Sequence, residues 1–452
     1  MRRILIVCHG HPDLSVGGGE IAAYRQCREL RANGYEVLFV SRDVSPSPHG
    51  GTPFTVRAAD QDDVLFHSPG FDHFLHSQRA KWSVYKDFRS LLERFAPDVV
   101  HFHHYVHLGV EMMREVRKYS ERVPIVVTLH EYLAICHNLG YMVKTNGRLC
   151  TRALPADCHA CFPGHSAEDF FLRERFIKSF FGLVDMFVCP SRFLLERYAA
   201  WGLPRERLIV IENGQPVVKA ATSEDSPAEL CRRFAFFGQI SEFKGIQVYL
   251  EAVQQVPPAL RRRAVFEIHG ALQPHGEVAT QHFSERLSEM RDRVSFRGAY
   301  RPDDLPTLMR SVGWVVVPSI WWENSPLVIQ EAFSNRRPVI CTNIGGMAEK
   351  VAEGRDGLHF RVGDARDLAQ RFEQACNPRL WASLRSGITP PPSIEETTRR
   401  HLDLYASVAE RRGGSGTARS QPAAAVAGMP MVTPLLSKRP KRARRAASSA
   451  LN

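Results

Sequence analysis

The chain has 452 residues, of which 44% are hydrophobic, and a formal net charge of +11. This length predicts two domains, and no apolar stretch approaches the roughly 20 residues needed to span a bilayer. Nine basic residues and no acid follow Glu410, which leaves 50 basic against 48 acidic residues in the body. The basic excess is therefore a property of a tail, and no specific nucleic-acid groove is predicted.

The first half alternates strands and helices, beginning with the strand RILIVCH. Its apolar run of about six residues is too short for a signal peptide, so we expect a cytoplasmic protein. Unbroken runs such as ILIV fit a parallel sheet buried on both faces. The pattern predicts a Rossmann-like domain over 1–213. Its further strands are EVLFVS, DVVHFHH, IVVTLH, MFVCPS and LIVIEN, and its helices lie near 20–33, 84–95, 108–120, 169–182 and 192–201.

Residues 214–231 are rich in Pro, Ser and mixed charge and are predicted to be a linker. A second α/β domain is predicted over 232–392, followed by a helix over 393–411 and a disordered basic tail over 412–452. The strands of the second domain are FAFFGQ, AVFEIHG, VSFRG, WVVVPS, PVICTN and GLHF.

A glycine-rich turn, Gly17–Gly19, follows the first strand and opens a helix. Glycine lets a backbone approach a phosphate or sugar closely, and a helix start favours negative charge. The pattern is not a dinucleotide fingerprint. A plain tight turn is an equally good interpretation of this segment alone.

Histidines end the strand DVVHFHH, at His101, His103 and His104. Ligands of open α/β sheets bind beyond the carboxyl ends of strands. His130 and Glu131 end the next strand and are further candidates for a cleft. The spacing of the three histidines on one strand does not favour a metal.

Four cysteines, Cys136, Cys150, Cys158 and Cys161, lie within an insert at 136–165. Cys-x2-Cys is a chelate spacing, and two further thiols complete a tetrahedral set. A reducing compartment favours metal over disulfides. We predict a structural zinc ion ahead of an iron–sulfur cluster; free loop thiols are the remaining alternative.

The most informative segment is Glu323-Asn-Ser-Pro-Leu-Val-Ile-Gln-Glu331. Asn or Ser before Pro at a first helical position predicts a helix start. Glu323 would lie on the loop before that helix and Glu331 roughly two turns inside it, so both could face one ligand. Free N–H groups at the helix start suit an anion, and the acids suit sugar hydroxyls.

With PVICTNIGGMAEKV and GRDGLHFRVGDARDLAQ, this Glu-x7-Glu pattern resembles retaining family 4 glycosyltransferases, over residues 1 to about 385. The resemblance implies the GT-B fold, in which two Rossmann-like, doubly wound domains face each other across a cleft and a C-terminal helix crosses back. Some members carry a similar Cys-rich insert. No catalytic metal or other cofactor is implied.

The resemblance also implies residue roles. The implied catalytic residues are Glu323, His103 and Lys244. Glu323 would bind the donor sugar, and Glu331 would bind the nucleotide ribose. Gln239 stands where the family commonly has an arginine that clamps the diphosphate; a neutral amide lacks that charge, so Arg297 is a candidate substitute. The donor-binding set is Gly18, Gly19, Gly238, Gln239, Lys244, Asn324, Ser325, Pro326, Leu327 and Glu331.

The predicted function is retaining transfer of a sugar from a nucleotide-diphosphate sugar to a glycan or lipid-linked acceptor. Two alternatives keep the fold: a nucleotide-sugar or carbohydrate-binding protein that has lost transfer, and a phosphorylase or epimerase. The aromatic, basic segment 170–184 and the tail suggest peripheral contact with the inner membrane face, although a core-facing helix and a solvated tail are the simpler interpretations.

Overall fold

The computed structural model describes residues 1–15, 17–45, 51–67, 70–218, 226–272, 283 and 285–414. Most of the predicted tail, and residues 219–225 of the predicted linker, lie outside these ranges. Met1–Gly413 form one compact unit. Within the described ranges, no helix combines the length and hydropathy that crossing a bilayer requires.

The first sheet has eight strands in the order β10-β9-β8-β7-β1-β2-β4-β3. Only β3, which pairs with β4, is antiparallel to its neighbour. A separate two-stranded sheet is formed by β5 and β6. The ranges are β1 Arg3–Val7, β2 Glu36–Asp43, β3 Phe54–Arg57, β4 Asp60–His67, β5 Phe71–Asp72, β6 Ser77–Gln78, β7 Val99–Phe102, β8 Ile125–Thr128, β9 Met186–Cys189 and β10 Leu208–Val210.

Strand β1 shows why the apolar runs lack alternation. Leu5 and Val7 join the core cluster on one face of the sheet, whereas Ile4 and Ile6 join the cluster on the other face. All four side chains are fully buried. Both faces of this sheet are therefore covered, as a parallel sheet requires.

The second sheet is parallel throughout, in the order β13-β12-β11-β14-β15-β16. The predicted fold class, two doubly wound α/β domains, is confirmed. We call them the first and second domains. The strand ranges are β11 Arg233–Phe237, β12 Val265–His269, β13 Ser295–Gly298, β14 Trp314–Val317, β15 Val339–Thr342 and β16 Gly357–Phe360.

The helices cover both sheets, and their bounds differ from the predicted ones by a few residues. Strands β3 to β6 were not predicted, because the polar start of β4, Asp-Gln-Asp-Asp, gives no buried-strand signal. The helices span Gly18–Ala32, Lys81–Phe95, Met112–Tyr119, Pro155–Cys161, Ala167–Phe181, Arg192–Trp201, Pro227–Leu230, Ile246–Gln255, Pro258–Arg261, Leu305–Arg310, Leu327–Ser334, Gly345–Lys350, Ala365–Ala375, Pro378–Gly387 and Ile394–Gly414.

The last helix, Ile394–Gly414, crosses back onto the first domain as predicted. Its Leu404, Tyr405 and Val408 side chains pack in the same cluster as Ile4 and Ile6. The Tyr405 hydroxyl lies 2.6 Å from Nδ1 of His101 and accepts a 3.0 Å hydrogen bond from Nε2 of Gln26. Apolar burial and polar contacts together hold this helix on the first domain.

Candidate functional site

The helix that follows the predicted donor loop begins one residue later than predicted. Leu327 is its first residue, and Pro326 takes the N-cap position instead of the first helical position. Glu331 comes four residues after Leu327 and so lies about one turn inside the helix, not the predicted two. Glu323 lies on the preceding loop and is 5% exposed.

Glu323 is held by three donors at one carboxylate oxygen, Oε1. Lys244 Nζ lies 2.6 Å away, Ser319 Oγ 2.8 Å and Trp321 Nε1 3.0 Å. The structure thus brings the two predicted catalytic residues of the second domain into direct contact. The ammonium group balances the charge of the largely buried carboxylate.

Glu331 faces the first domain. Its Oε1 accepts a 3.4 Å hydrogen bond from Nη2 of Arg25, whose Nη1 donates to Oε1 of Gln215 at 2.9 Å. Burial raises the pKa of the Glu331 carboxyl, and the charge and hydrogen bond of Arg25 partly offset that rise. Arg25 was missed in the sequence because a lone arginine in a helix carries no motif.

The side chains of Asn324 and Ser325 also reach the first domain. Asn324 Oδ1 accepts a 2.6 Å hydrogen bond from Ser191 Oγ, and its Nδ2 donates to the His130 carbonyl at 3.3 Å. Ser325 Oγ donates to Glu212 Oε1 at 2.6 Å. The predicted donor loop therefore also joins the two domains.

Glu212 is the centre of this junction. Besides Ser325, its carboxylate contacts the side chains of Gln330 and Lys350. Burial lowers the pKa of Lys350 to about 8, whereas direct contact with a carboxylate favours the charged amine. No local sequence pattern marks this pair, whose two residues lie 138 positions apart in the sequence.

The glycine-rich turn of the first domain lies against the start of the helix Leu327–Ser334. A Cβ at Gly18 would lie 3.6 Å from Leu327 Cδ1, and a Cβ at Gly19 would lie 3.5 Å from the His130 ring. The glycine-rich turn, the residue after strand β8 and the helix start therefore lie next to one another.

His9 and Glu20 form an ion pair beside this turn, with 3.2 Å between Nε2 and Oε1. Burial lowers the pKa of His9, but hydrogen bonds and charges of Cys8 and Glu20 outweigh burial and raise it to about 10. His9 therefore carries a positive charge next to the glycine-rich turn. Neither residue was predicted, because their pairing depends on tertiary structure.

The predicted histidines are buried and neutral. His103 Nδ1 lies 3.1 Å from His130 Nε2. Burial, with neighbouring histidines, takes the pKa of His103 well below its usual value and that of His130 to about 4. His103 Nε2 is buried and has no hydrogen-bond partner within the described ranges. His103 lines a small pocket together with Thr128, Glu212 and His401.

Glu131 is paired with His104 and not with His103. His104 Nδ1 accepts hydrogen bonds from the Tyr105 and Val106 amides at 3.1 Å. Its proton must therefore lie on Nε2, which is 3.4 Å from Glu131 Oε1. Burial raises the pKa of Glu131 to about 7.

The loop that carries Lys244 is fixed by glycines. Gly245 has φ +72° and faces the Pro318 carbonyl so closely that a Cβ would lie 1.8 Å from its oxygen. Gly238 has φ +134°, and Gln239 beside it is half-buried. The candidate substitute cation, Arg297, pairs with Glu267 at 2.6 Å, so its charge is already balanced.

The four cysteines of the insert are half-buried and line one pocket. Burial and the neighbouring thiols raise the pKa of Cys158 to about 12. In the described part of the chain, no three His, Cys, Asp or Glu side chains are already grouped as metal ligands.

The arrangement can bind an anion flanked by hydroxyl-bearing groups. The amides at the start of the helix Leu327–Ser334 and the Lys244 ammonium supply positive potential. The carboxylates of Glu323 and Glu331 can accept hydrogen bonds from hydroxyls on either side. A nucleotide-diphosphate sugar has this distribution of groups.

Family models match both halves of the chain. Residues 16–217 match Glycosyltransferase Family 4, and residues 231–377 match Glycosyl transferases group 1. Each half of the chain is thus similar to a domain of the GT-B glycosyltransferases. The predicted GT-B fold is confirmed.

Similar proteins agree with this family. A D-inositol 3-phosphate glycosyltransferase of Corynebacterium glutamicum is 32% identical over 34% of this chain and 39% of its own length. One of Salinispora tropica is 30% identical over 50% and 44%. The GT-B chain thus spans less than half of these curated relatives.

Among solved structures, Anabaena Alr3699/HepE in complex with UDP has a TM-score of 0.63 and 16% identity, covering 90% of this GT-B chain and 100% of that chain. Sucrose-phosphate synthase from Thermosynechococcus elongatus has a TM-score of 0.62 and 17% identity, covering 92% and 98%. At this identity the likeness concerns the fold.

Proposed function

We propose that the protein transfers a sugar from a nucleotide-diphosphate sugar to a hydroxyl of a glycan or lipid-linked acceptor, with retention at the anomeric carbon. One observation carries the proposal. The helix start at Leu327 lies between the Lys244–Glu323 and Arg25–Glu331 pairs and against the glycine-rich turn of the other domain.

In this proposal Glu331 accepts hydrogen bonds from the ribose hydroxyls and Glu323 from those of the donor sugar. Arg25 occupies Oε1 of Glu331, and a carboxylate has further acceptor sites on its two oxygens, so the ribose hydroxyls could be accepted beside the Arg25 contact. Anabaena HepE, whose fold is similar to that of this chain, has been crystallised with UDP and with UDP-glucose. This supports a nucleotide sugar as the donor.

Lys244 and the helix amides would stabilise the diphosphate as it leaves, where negative charge grows in the transition state. The leaving phosphate would itself accept the proton of the acceptor hydroxyl on the same face of the sugar. His103, neutral at physiological pH, would hydrogen-bond a sugar hydroxyl through Nε2. This scheme uses no catalytic metal or other cofactor. We also propose that the protein belongs to the subgroup of family 4 glycosyltransferases that carry a Cys-rich insert in the first domain.

Membrane contact by the segment 170–184 also remains a proposal. Phe171 and Leu172 are exposed, at 49% and 60%, and Arg175 stacks on the Phe171 ring. Phe170, Phe180 and Phe181 are buried, as in the simpler core-facing interpretation. Two exposed apolar residues beside a cation suit a lipid surface of the kind that a lipid-linked acceptor would require.

The second candidate is a nucleotide-sugar-binding protein without transfer, favoured by Gln239 and by the pairing of Arg297 with Glu267. A screen of UDP-, GDP- and ADP-sugars for thermal stabilisation identifies the donor. NMR analysis of the product then tests retention. Transfer with an unchanged anomeric configuration supports the proposal; binding without nucleotide release, in the presence of an acceptor mixture, supports the second candidate.

A further inference from the structure

Apolar burial anchors the first part of the Cys-rich insert at 136–165 through Met142 and Val143, but it supports the helix of the insert only weakly. Its helix, Pro155–Cys161, has no buried residue, and Leu154, which precedes it, is 42% exposed. A helix of seven residues is not stable in water without tertiary packing. The Lys144–Asp157 ion pair, at 3.1 Å, links this helix to the rest of the insert, but a partly exposed pair of this kind contributes little stability.

The backbone of the insert directs its four thiols to one place. Cys158 and Cys161 are three residues apart on the helix, so they share a face. Cys150 ends a hairpin that is closed by the Val143–Leu149 bridge, and its amide donates to the Met142 carbonyl at 2.7 Å. These three thiols and that of Cys136 line the same pocket.

We propose that Cys136, Cys150, Cys158 and Cys161 bind a structural zinc ion. Four thiols would lose their protons and bind as thiolates, the ligand set of closed zinc sites. The four cysteines line one pocket, but no three such side chains among the described residues lie close enough together to hold a metal ion. Zinc binding would therefore have to draw the thiols together, as it does where metal binding and folding are coupled.

The insert also contacts the donor-side loops of the second domain. Trp322 Nε1 donates a 2.9 Å hydrogen bond to the Cys150 carbonyl. The Tyr141 ring stacks on Phe243 with 4.1 Å between centroids and meets Trp321 edge-on at 5.2 Å.

Lys244 directly follows Phe243, and Glu323 directly follows Trp322. The zinc-bound insert would therefore position the loops that carry both residues. This second step is a positioning role and rests on the proposed function, whereas the zinc site itself does not.

Elemental analysis of the anaerobically purified full chain tests the site. About one zinc per chain is expected, with loss of zinc in Cys158→Ser and Cys161→Ser. Cys376→Ser is the matched control, because Cys376 is also a half-buried thiol but lies outside the insert; it should keep its zinc. Iron with acid-labile sulfide, or zinc retained in both insert variants, would overturn the assignment.

Cobalt titration of the metal-stripped wild-type chain provides a test that does not depend on variant folding. Intense thiolate-to-cobalt absorption and tetrahedral d–d bands are expected. A chain that is purified without zinc and gives no such spectrum contradicts the site.

Trp322→Phe separates zinc binding from the positioning role of the insert, since it removes the indole N–H donor and keeps an aromatic ring. It should retain zinc and raise the donor KM severalfold with little change in kcat. Unchanged KM would refute the positioning role and leave the metal count to decide the zinc site.

Discussion

Lys244 and Glu323 form a direct ion pair, with 2.6 Å between Nζ and Oε1. The Glu323 side chain is largely buried, whereas the Lys244 side chain is 31% exposed. Glu323 thus holds Lys244 in place while leaving part of its charge accessible to a ligand. A preorganised cation of this kind is what a diphosphate leaving group requires.

Lys244→Ala should reduce turnover about 10²–10³-fold, because it removes a charge from the leaving group. Steady-state assay of sugar transfer measures the effect. Lys86→Ala is the control, since Lys86 is exposed on a helix of the first domain and its loss should change turnover less than twofold. Near-normal turnover of the Lys244 variant would remove the leaving-group role.

Glu212→Ala should destabilise the protein by about 3 kcal/mol, because it leaves the largely buried Lys350 without its carboxylate partner. Urea unfolding measures the change. Glu206, an exposed residue of the same segment, provides a control; Glu206→Ala should cost under about 0.5 kcal/mol. Equal stability of the two variants would contradict a junction centred on Glu212.

Gly346→Ala should disrupt the donor loop. A Cβ there would lie 1.6 Å from the Asn324 carbonyl oxygen, so the loop and the helix Gly345–Lys350 could not keep their contact. We expect a loss of at least about 3 kcal/mol in the free energy of unfolding. Gly164→Ala, where a Cβ meets nothing within 4 Å, should fold normally. Wild-type stability of the Gly346 variant would show that the two segments are not in contact.

Glu131 should make stability depend on pH. Its folded pKa of about 7 lies above the usual value of 4.5, so the folded state binds more protons between these values. The contribution of Glu131 to the free energy of unfolding is therefore complete below pH 4.5 and is lost as the pH rises through 7. Glu131→Gln should flatten the dependence of unfolding free energy on pH between 5 and 8. A profile parallel to wild type would indicate that the buried carboxyl is already ionised.

Much of the fold could be predicted because apolar runs dominate its sheets. β1, β7 and β14 are buried strands without alternation, and the sequence signal for them is strong. The polar hairpin of β3 and β4 gave no such signal. Pro326 predicted a helix start to within one residue, since proline marks the first turn without fixing which cap position it takes.

Sequence motifs indicated some of the residues that the structure brings together. Residues that become neighbours only through tertiary contact were missed. Glu323 and Lys244 belong to recognisable segments, and the structure brings them together. Arg25 and Glu331 are 306 positions apart in the sequence, and no local pattern reports such a pair. The same holds for Glu212 and Lys350, because the packing of the two domains alone makes them neighbours.

Glu331 is central to the proposed donor site, and calorimetric titration of nucleoside diphosphates into wild-type and Glu331→Ala protein tests its role. One of UDP, GDP and ADP should bind the wild-type chain, and the variant should bind it at least about tenfold more weakly, a loss of about 1.4 kcal/mol. Thermal unfolding of the variant serves as the control for folding. Equal affinity in the two proteins, or no binding of any of the three nucleotides, would rule out this donor site.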